Sequence, residues 1–65
     1  MKPTPKEIRD MINEGVELMG EHFDKWFDQE LQILDGRTAR ESMDNKEDLR
    51  KVTVFLNRMA HGIFS

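Results

Sequence analysis

Apolar residues recur at intervals of three and four along most of this chain, and no stretch alternates with the period of two that a half-buried strand requires. Helical spacing places such side chains on one face. The pattern therefore predicts an all-α fold, a small bundle of about four short helices. The 65 residues form a single domain, 1–65. Its core must be thin, since a chain of this size buries only about 60% of its unfolded surface.

The first helix is predicted over residues 5–19. Thr4 precedes it as the N-cap, and Glu7 follows three positions later, which is the spacing of a capping box. Gly15 interrupts the helix at a cost of about 1 kcal/mol relative to alanine, which indicates that another element packs close to it. Gly20 is a stop signal for this helix.

Aromatic residues dominate the next segment, where Phe23, Trp26 and Phe27 recur at helical spacing. A second, shorter helix is predicted from residue 21 to residue 28 or 31. Trp26 is the only tryptophan, and we interpret it as a core anchor rather than an exposed binding aromatic.

A turn and a third helix are predicted in the middle of the chain. Gly36 follows Asp35, and this pair is a turn signal because glycine accepts a positive φ. Thr38 and Glu41 repeat the capping-box spacing. A short helix is therefore predicted over residues 38–43.

The last helix is predicted from residue 46 to residue 60 or 61, with Asp44 or Asn45 as its N-cap. Gly62 has the position of a glycine that follows a helix C-terminus. The predicted apolar stripe of this helix consists of Leu49, Val52, Leu56, Met59 and Ile63.

The residues do not form a recognisable catalytic or metal site, and we expect neither an enzyme nor a cofactor. His22 has Glu21 and Asp24 as neighbours, but helix positions one and two apart point in different directions and their ligands would not converge. Ser42 and Ser65 lack an identifiable base that would activate them. Cysteine is absent, so disulfides and thiolate zinc sites are excluded.

The charge disfavours a nucleic-acid binder, because the net charge is −3 and phosphate binding depends on clustered cations. The side chains that a recognition helix could use are Lys46, Arg50, Lys51, Asn57 and Arg58. Glu47 and Asp48 stand at the start of that helix, where phosphates would come close. No apolar run approaches the roughly 20 residues that span a bilayer, and no signal peptide opens the chain, so we expect a cytoplasmic protein.

The chain ends on apolar residues, whereas termini are usually polar and frayed. Ile63 and Phe64 either fold back onto the thin core or insert into the pocket of another protein. Ile63 continues the apolar stripe, but Phe64 and the carboxylate of Ser65 have no such place within the domain. Both explanations remain open, and a homodimer is also compatible with a thin apolar core.

Two phrases, "LDGRT" with the following "ESM" and "FLNRMAHGIFS", resemble the C-terminal toxin-binding domain of the Xre/MbcA/ParS antitoxin family. That domain typically has a Trp-Leu pair, then Leu-Gly-Gly-Arg-Thr-Pro, then a closing segment similar to Arg-Ile-Glu-His-Gly-Val-Phe. Trp26-Phe27, the segment 34–38 and the segment 58–64 follow this pattern in order, and the match covers roughly residues 16–65.

The resemblance implies a bacterial antitoxin module that neutralises a RES-domain toxin, an NAD-using protein with an ADP-ribosyltransferase-like fold, by covering its active-site cleft. It assigns Trp26, Leu34, Gly36 and Thr38 to the shape of the domain, and leaves Arg37 open between shape and partner contact. The residues that it places toward the partner, with the terminal carboxylate added, are Arg58, His61, Gly62, Ile63, Phe64 and Ser65. The alternatives are a phage- or plasmid-type inhibitor of another bacterial protein and a DNA-binding regulator.

This chain departs from the family pattern at three points. Ala39 replaces the usual proline, and alanine also suits a helix start. Asp35 replaces the first glycine. We therefore expect that the backbone at this position need not adopt a left-handed conformation. The helix-turn-helix domain that usually precedes the module is missing, so the chain is either a free-standing relative or an excised piece.

Overall fold

The computed structural model describes the backbone of residues 1–64 and the side chains of residues 1–62, and within them the all-α prediction is confirmed. The only β pairing in this part of the chain is an isolated antiparallel bridge between Glu30 and Thr38. The α-helices are α1 (Pro5–Met19), α2 (Phe23–Phe27) and α3 (Lys46–Phe64). The 3₁₀ helices are Gly20–His22, Gln32–Leu34 and Glu41–Asp44.

Helix α1 has the predicted bounds, and its capping box is formed. The Thr4 hydroxyl accepts a hydrogen bond from the Glu7 amide at 3.2 Å, and the Glu7 carboxylate accepts one from the Thr4 amide at 3.0 Å. These bonds lower the pKa of Glu7 below its ordinary value. The helix ends at Gly20, which has a φ of 58°.

The close packing predicted at Gly15 is confirmed. Phe23 lies so close to this buried glycine that a Cβ atom added there would overlap the phenyl ring. The missing side chain therefore lets α2 pack tightly across α1, although glycine weakens the helix itself.

The second predicted helix is shorter than expected and starts with a 3₁₀ turn, and its α-helical part ends at Phe27. Continuation would require the Leu31 amide to donate to the Phe27 carbonyl. That carbonyl instead accepts from the Arg40 amide at 3.1 Å, and the Leu31 amide donates to the Arg37 carbonyl at 3.0 Å. The α-helix itself ends in two tighter local bonds, from the Asp28 amide to the Lys25 carbonyl at 3.3 Å and from the Gln29 amide to the Trp26 carbonyl at 3.0 Å. The tertiary bonds then exclude a continuation to Leu31.

The third predicted helix is a 3₁₀ helix, Glu41–Asp44, rather than an α-helix over 38–43. The predicted capping box is present, because the Thr38 and Glu41 side chains each accept from the other's amide, at 3.2 and 2.9 Å. The Ser42 hydroxyl donates to the Ala39 carbonyl and competes there with the backbone bonds that would continue a helix.

Helix α3 begins as predicted, but its predicted end is wrong. The Asn45 side chain caps it by accepting from the amides of Glu47 and Asp48, at 2.9 and 3.1 Å. Gly62 lies inside the helix, which continues to Phe64. A single glycine costs a helix only about 1 kcal/mol, so it weakens the last turn without ending it.

Helices α1 and α3 lie side by side and run in the same direction. Near their starts, Lys46 Nζ is 3.8 Å from Glu7 Oε1, and near their ends Leu18 and Ala60 line one groove. The segment between them returns across both helices and closes the core. The buried apolar residues are Met11, Phe23, Phe27, Leu34, Ala39, Leu49, Val52 and Leu56. Among residues 1–64, no helix combines the length and apolar character that a membrane crossing needs.

Candidate protein-binding face

Helix α3 has two faces of different chemistry. Its inner face carries the predicted apolar stripe, of which Leu49, Val52 and Leu56 are buried. We call the opposite side the α3 outer face, and its residues include Glu47, Arg50, Lys51, Val54, Arg58 and His61. All six are exposed, and Val54, at 42% exposure, is apolar. The stripe prediction is therefore confirmed for its first three members, while the Ile63 side chain lies outside the described residues.

A shallow groove of about 310 Å³ runs along this face, between α3 and the Gln32–Leu34 turn. Its apolar floor is formed by Ile33, Val54 and Phe55. Arg50, Lys51 and Arg58 form its rim. We call this feature the α3 groove. An apolar floor with a cationic rim is suited to bind an apolar side chain that has acidic neighbours.

The floor of the α3 groove is supported by an aromatic stack. The Trp26 and Phe55 rings are nearly parallel, with an interplanar angle of 5° and centroids 6.3 Å apart. Trp26 is half-buried and also packs against Phe23, with ring centroids 6.0 Å apart. The tryptophan therefore connects the core to the candidate binding surface.

The turn at Gly36 holds two successive left-handed residues. Asp35 has a φ of 55° and Gly36 a φ of 92°. The expectation that Asp35 need not be left-handed is therefore wrong, and aspartate is among the few residues that tolerate this conformation. The Gly36 amide donates to the Leu31 carbonyl at 3.0 Å and closes the turn, while Leu34 is completely buried below it.

Arg37 leads from this turn to the start of α3 through an ion pair with Asp48. Its Nε and Nη2 atoms donate to the two Asp48 carboxylate oxygens at 2.7 and 2.9 Å. The Asp48 side chain is only 6% exposed, and that of Arg37 is 45% exposed. The hydrogen bonds lower the pKa of Asp48 and raise that of Arg37. This pair gives Arg37 a clear structural role, and its contact with a partner stays a prediction.

The other predicted residues are distributed as follows. Leu34, Gly36 and Thr38 lie together in residues 34–44, which we call the turn segment, apart from the α3 outer face. Arg58 and His61 are exposed on that face, and Gly62 follows them in the same helix. The side chains of Ile63 and Phe64, and all of Ser65, lie outside the described residues, so their predicted role is open.

Sequence reasoning missed two features of this region. It interpreted Asp48 only as an acid near a helix start, although its place beside Leu49 and four positions before Val52 indicates an inward direction. It also passed over Ile33 and Val54, two apolar residues outside the stripes that are 37% and 42% exposed. Their position outside any helical stripe was the available signal.

Metal and nucleophile sites find no support in the described part of the chain. Residues 1–62 contain no group of three His, Asp or Glu side chains that could hold a metal ion. His22 is exposed, and Ser42 is completely buried with its hydroxyl donating to the Ala39 carbonyl.

Comparisons of the chain with protein-family models, with curated proteins and with solved structures found no match.

Proposed function

We propose that this chain is a non-enzymatic module that binds and neutralises a toxin of the RES type, through the end of α3 and the C-terminal residues. The observation that carries the proposal is the position of Arg58 and His61. These two residues of the family-like closing motif are exposed on the α3 outer face, while the inner face of the same helix packs in the core.

The Leu34–Thr38 part of the family-like pattern supports the proposal because it has a structural role rather than a binding role. Leu34 is fully buried, the amide of Gly36 closes a turn, and Thr38 exchanges two hydrogen bonds with Glu41. These contacts hold the platform on which α3 rests. A recognition module needs such a division, because binding groups that are held by a rigid scaffold lose less entropy on association.

The proposed mechanism is exclusion. The last turn of α3, which includes Ile63 and Phe64, enters the active-site cleft of the toxin together with Ser65, so that NAD cannot bind. Arg58 and His61 contact the rim of the cleft. An apolar anchor surrounded by polar contacts is the usual composition of a protein–protein hot spot.

Co-expression with a RES-type toxin, followed by a pulldown and a measurement of cellular NAD, tests the proposal. We expect a complex and restored NAD. Removal of residues 63–65 should abolish both while circular dichroism remains helical. The matched control is Arg9→Glu, at an exposed α1 position away from the motif, which should neutralise as the native chain does.

Two results contradict the proposal. If the native chain forms no complex and NAD is still consumed, the toxin is not its target. If removal of residues 63–65 unfolds the domain, the apolar end belongs to the core rather than to a partner.

A DNA-binding regulator is a second candidate, because three cations line one side of the exposed face of α3. That function requires an affinity for duplex DNA that falls steeply with salt, since bound cations release counterions. A flat titration at low salt would remove it.

A further inference from the structure

The three rim cations of the α3 groove differ from the other arginines of the central region. Arg37 and Arg40 each make a bidentate pair, with Asp48 and Asp28. Arg50, Lys51 and Arg58 form no ion pair with another described residue. A chain with a net charge of −3 thus concentrates around one apolar groove three cations that form no ion pair within the described residues.

The floor of the groove is apolar, fixed and accessible. Ile33 and Val54 are 37% and 42% exposed, and Phe55 is held by its stack on Trp26. Binding therefore needs little rearrangement of the floor, which favours affinity. An apolar side chain placed on it would remove these surfaces from water, at a gain of about 25 cal/mol per Å².

We propose that the α3 groove binds an acidic amphipathic helix of a partner protein. Arg50, Val54 and Arg58 follow each other at intervals of four residues and span roughly 12 Å along α3. This length matches about two turns of a helix laid along the groove. Such a helix inserts apolar residues spaced three and four apart into the floor, and its flanking carboxylates meet Lys51 and the two arginines.

The apolar floor distinguishes this occupant from a nucleic acid. A phosphate backbone would pair with the cations, but it would leave Ile33, Val54 and Phe55 without an apolar partner. An acidic amphipathic helix uses both parts of the groove at once. The inference rests on the proposed function only for the identity of the protein that supplies this helix, which would lie beside the cleft rather than within it.

Trp26 provides the readout, because it is the only tryptophan and stacks on the floor residue Phe55. The probe is a synthetic peptide of about 20 residues, above the length at which isolated helices are marginal, with leucine at intervals of three and four and glutamate elsewhere. A second peptide has lysine in place of every glutamate. We expect the acidic peptide to change Trp26 emission and to bind at least about tenfold more tightly than the basic one, with an affinity that salt weakens.

Lys51→Glu tests the rim without touching the closing motif. Reversal of one rim charge should weaken the acidic peptide about tenfold, because an attraction becomes a repulsion. Val54→Ser should weaken it by a similar factor through the floor. Arg9→Glu, with the same change of charge on α1, is the matched control and should bind as the native chain does. Circular dichroism of all variants verifies that the helices persist.

Several outcomes overturn the inference. Equal binding of both peptides, or an effect of Arg9→Glu equal to that of Lys51→Glu, means that the groove does not select acidic partners. Displacement of the peptide by duplex DNA at matched ionic strength assigns the rim to phosphates. A dimer in sedimentation experiments that Lys51→Glu dissociates means that a second copy occupies the groove.

The same variants separate the two proposals. If the toxin complex forms with the native chain and with Lys51→Glu equally well, and the acidic peptide binds without the expected charge dependence, the groove proposal fails and the toxin proposal stands. If no toxin binds but the acidic peptide does so with the expected charge dependence, the toxin proposal fails and the groove proposal stands.

Discussion

The turn segment, residues 34–44, and the α3 outer face use similar residues in opposite ways. In the turn segment, Arg37 and Arg40 are both paired with carboxylates, and Thr38 and Glu41 satisfy each other's amides. On the α3 outer face, the cations form no ion pair with a described residue, and an apolar side chain, Val54, is exposed among them.

This difference indicates which charged side chains stabilise the fold and which remain available to bind another protein. A charge that is already held by a bidentate partner must break that contact before it can serve another protein. A solvated cation beside an exposed apolar surface has only water to lose. We therefore expect changes in the turn segment to act on stability, and changes on the α3 outer face or in the α3 groove to act on binding.

The largest expected effect is the loss of stability in Leu34→Ala, which we compare with the same truncation at the more exposed neighbour Ile33. Leu34→Ala should lower the free energy of unfolding by about 2–5 kcal/mol, because it removes a fully buried side chain and leaves a cavity. A domain of this size has a total of roughly 3–10 kcal/mol, so much of the variant should be unfolded in a urea titration followed by circular dichroism.

Ile33→Ala is the matched control, since Ile33 is 37% exposed. Because most of the Ile33 side chain is still covered, this change should lower the free energy of unfolding by about 1 kcal/mol, less than Leu34→Ala does, and should weaken binding of the acidic peptide. Equal destabilisation by both variants would contradict the division between the two regions.

The next largest effect comes from replacing glycine by alanine at one buried and one exposed position, where we expect changes in stability of opposite sign. Gly15→Ala should destabilise by about 1–3 kcal/mol, because the new methyl group overlaps the Phe23 ring. Gly62→Ala adds a Cβ that meets nothing within 4 Å, and should stabilise by at most about 1 kcal/mol through helix propensity. Thermal unfolding measures both. A gain at Gly15 similar to that at Gly62 would show that Phe23 does not pack there.

Local signals in the sequence were sufficient for the starts of α1 and α3. The capping residues Thr4 and Asn45 act through bonds to amides two or three positions away, so their partners are visible in the sequence. Gly15 was recognised for a similar reason, since a glycine inside a strong helical pattern indicates close packing.

Helix ends and the groove could not be predicted in the same way, because distant residues determine them. The second helix does not reach Leu31, because the Phe27 carbonyl accepts from the Arg40 amide, and no local pattern indicates that bond. Asp35 takes a left-handed conformation because the closure of its turn requires it. The α3 groove depends on the approach of Ile33 to Val54, which only the folded chain brings about.

The smallest expected effect is a change in acid sensitivity at the ion pair that joins the two regions. Arg37 lowers the pKa of Asp48 in the folded state below the ordinary value of 3.8. The pair therefore contributes stability that is fully present above about pH 4 and is lost as the pH falls through the lowered pKa. In Arg37→Ala, Asp48 stays buried without its partner, so its pKa should rise. The loss of stability that protonation of Asp48 causes in the native chain should then be absent from the variant.

Unfolding free energies from pH 7 down to about pH 2 test this reversal, with Arg40→Ala as the matched variant. Arg40 also lowers the pKa of its partner Asp28, but both side chains of that pair are more than half exposed. Solvent screens the Arg40–Asp28 pair. Removal of Arg40 should therefore change the free energy of unfolding at pH 7, and its dependence on pH below about 4, less than removal of Arg37 does. Identical pH profiles for the two variants would mean that burial of Asp48 has no energetic consequence, and that the turn segment is not anchored to α3 through this contact.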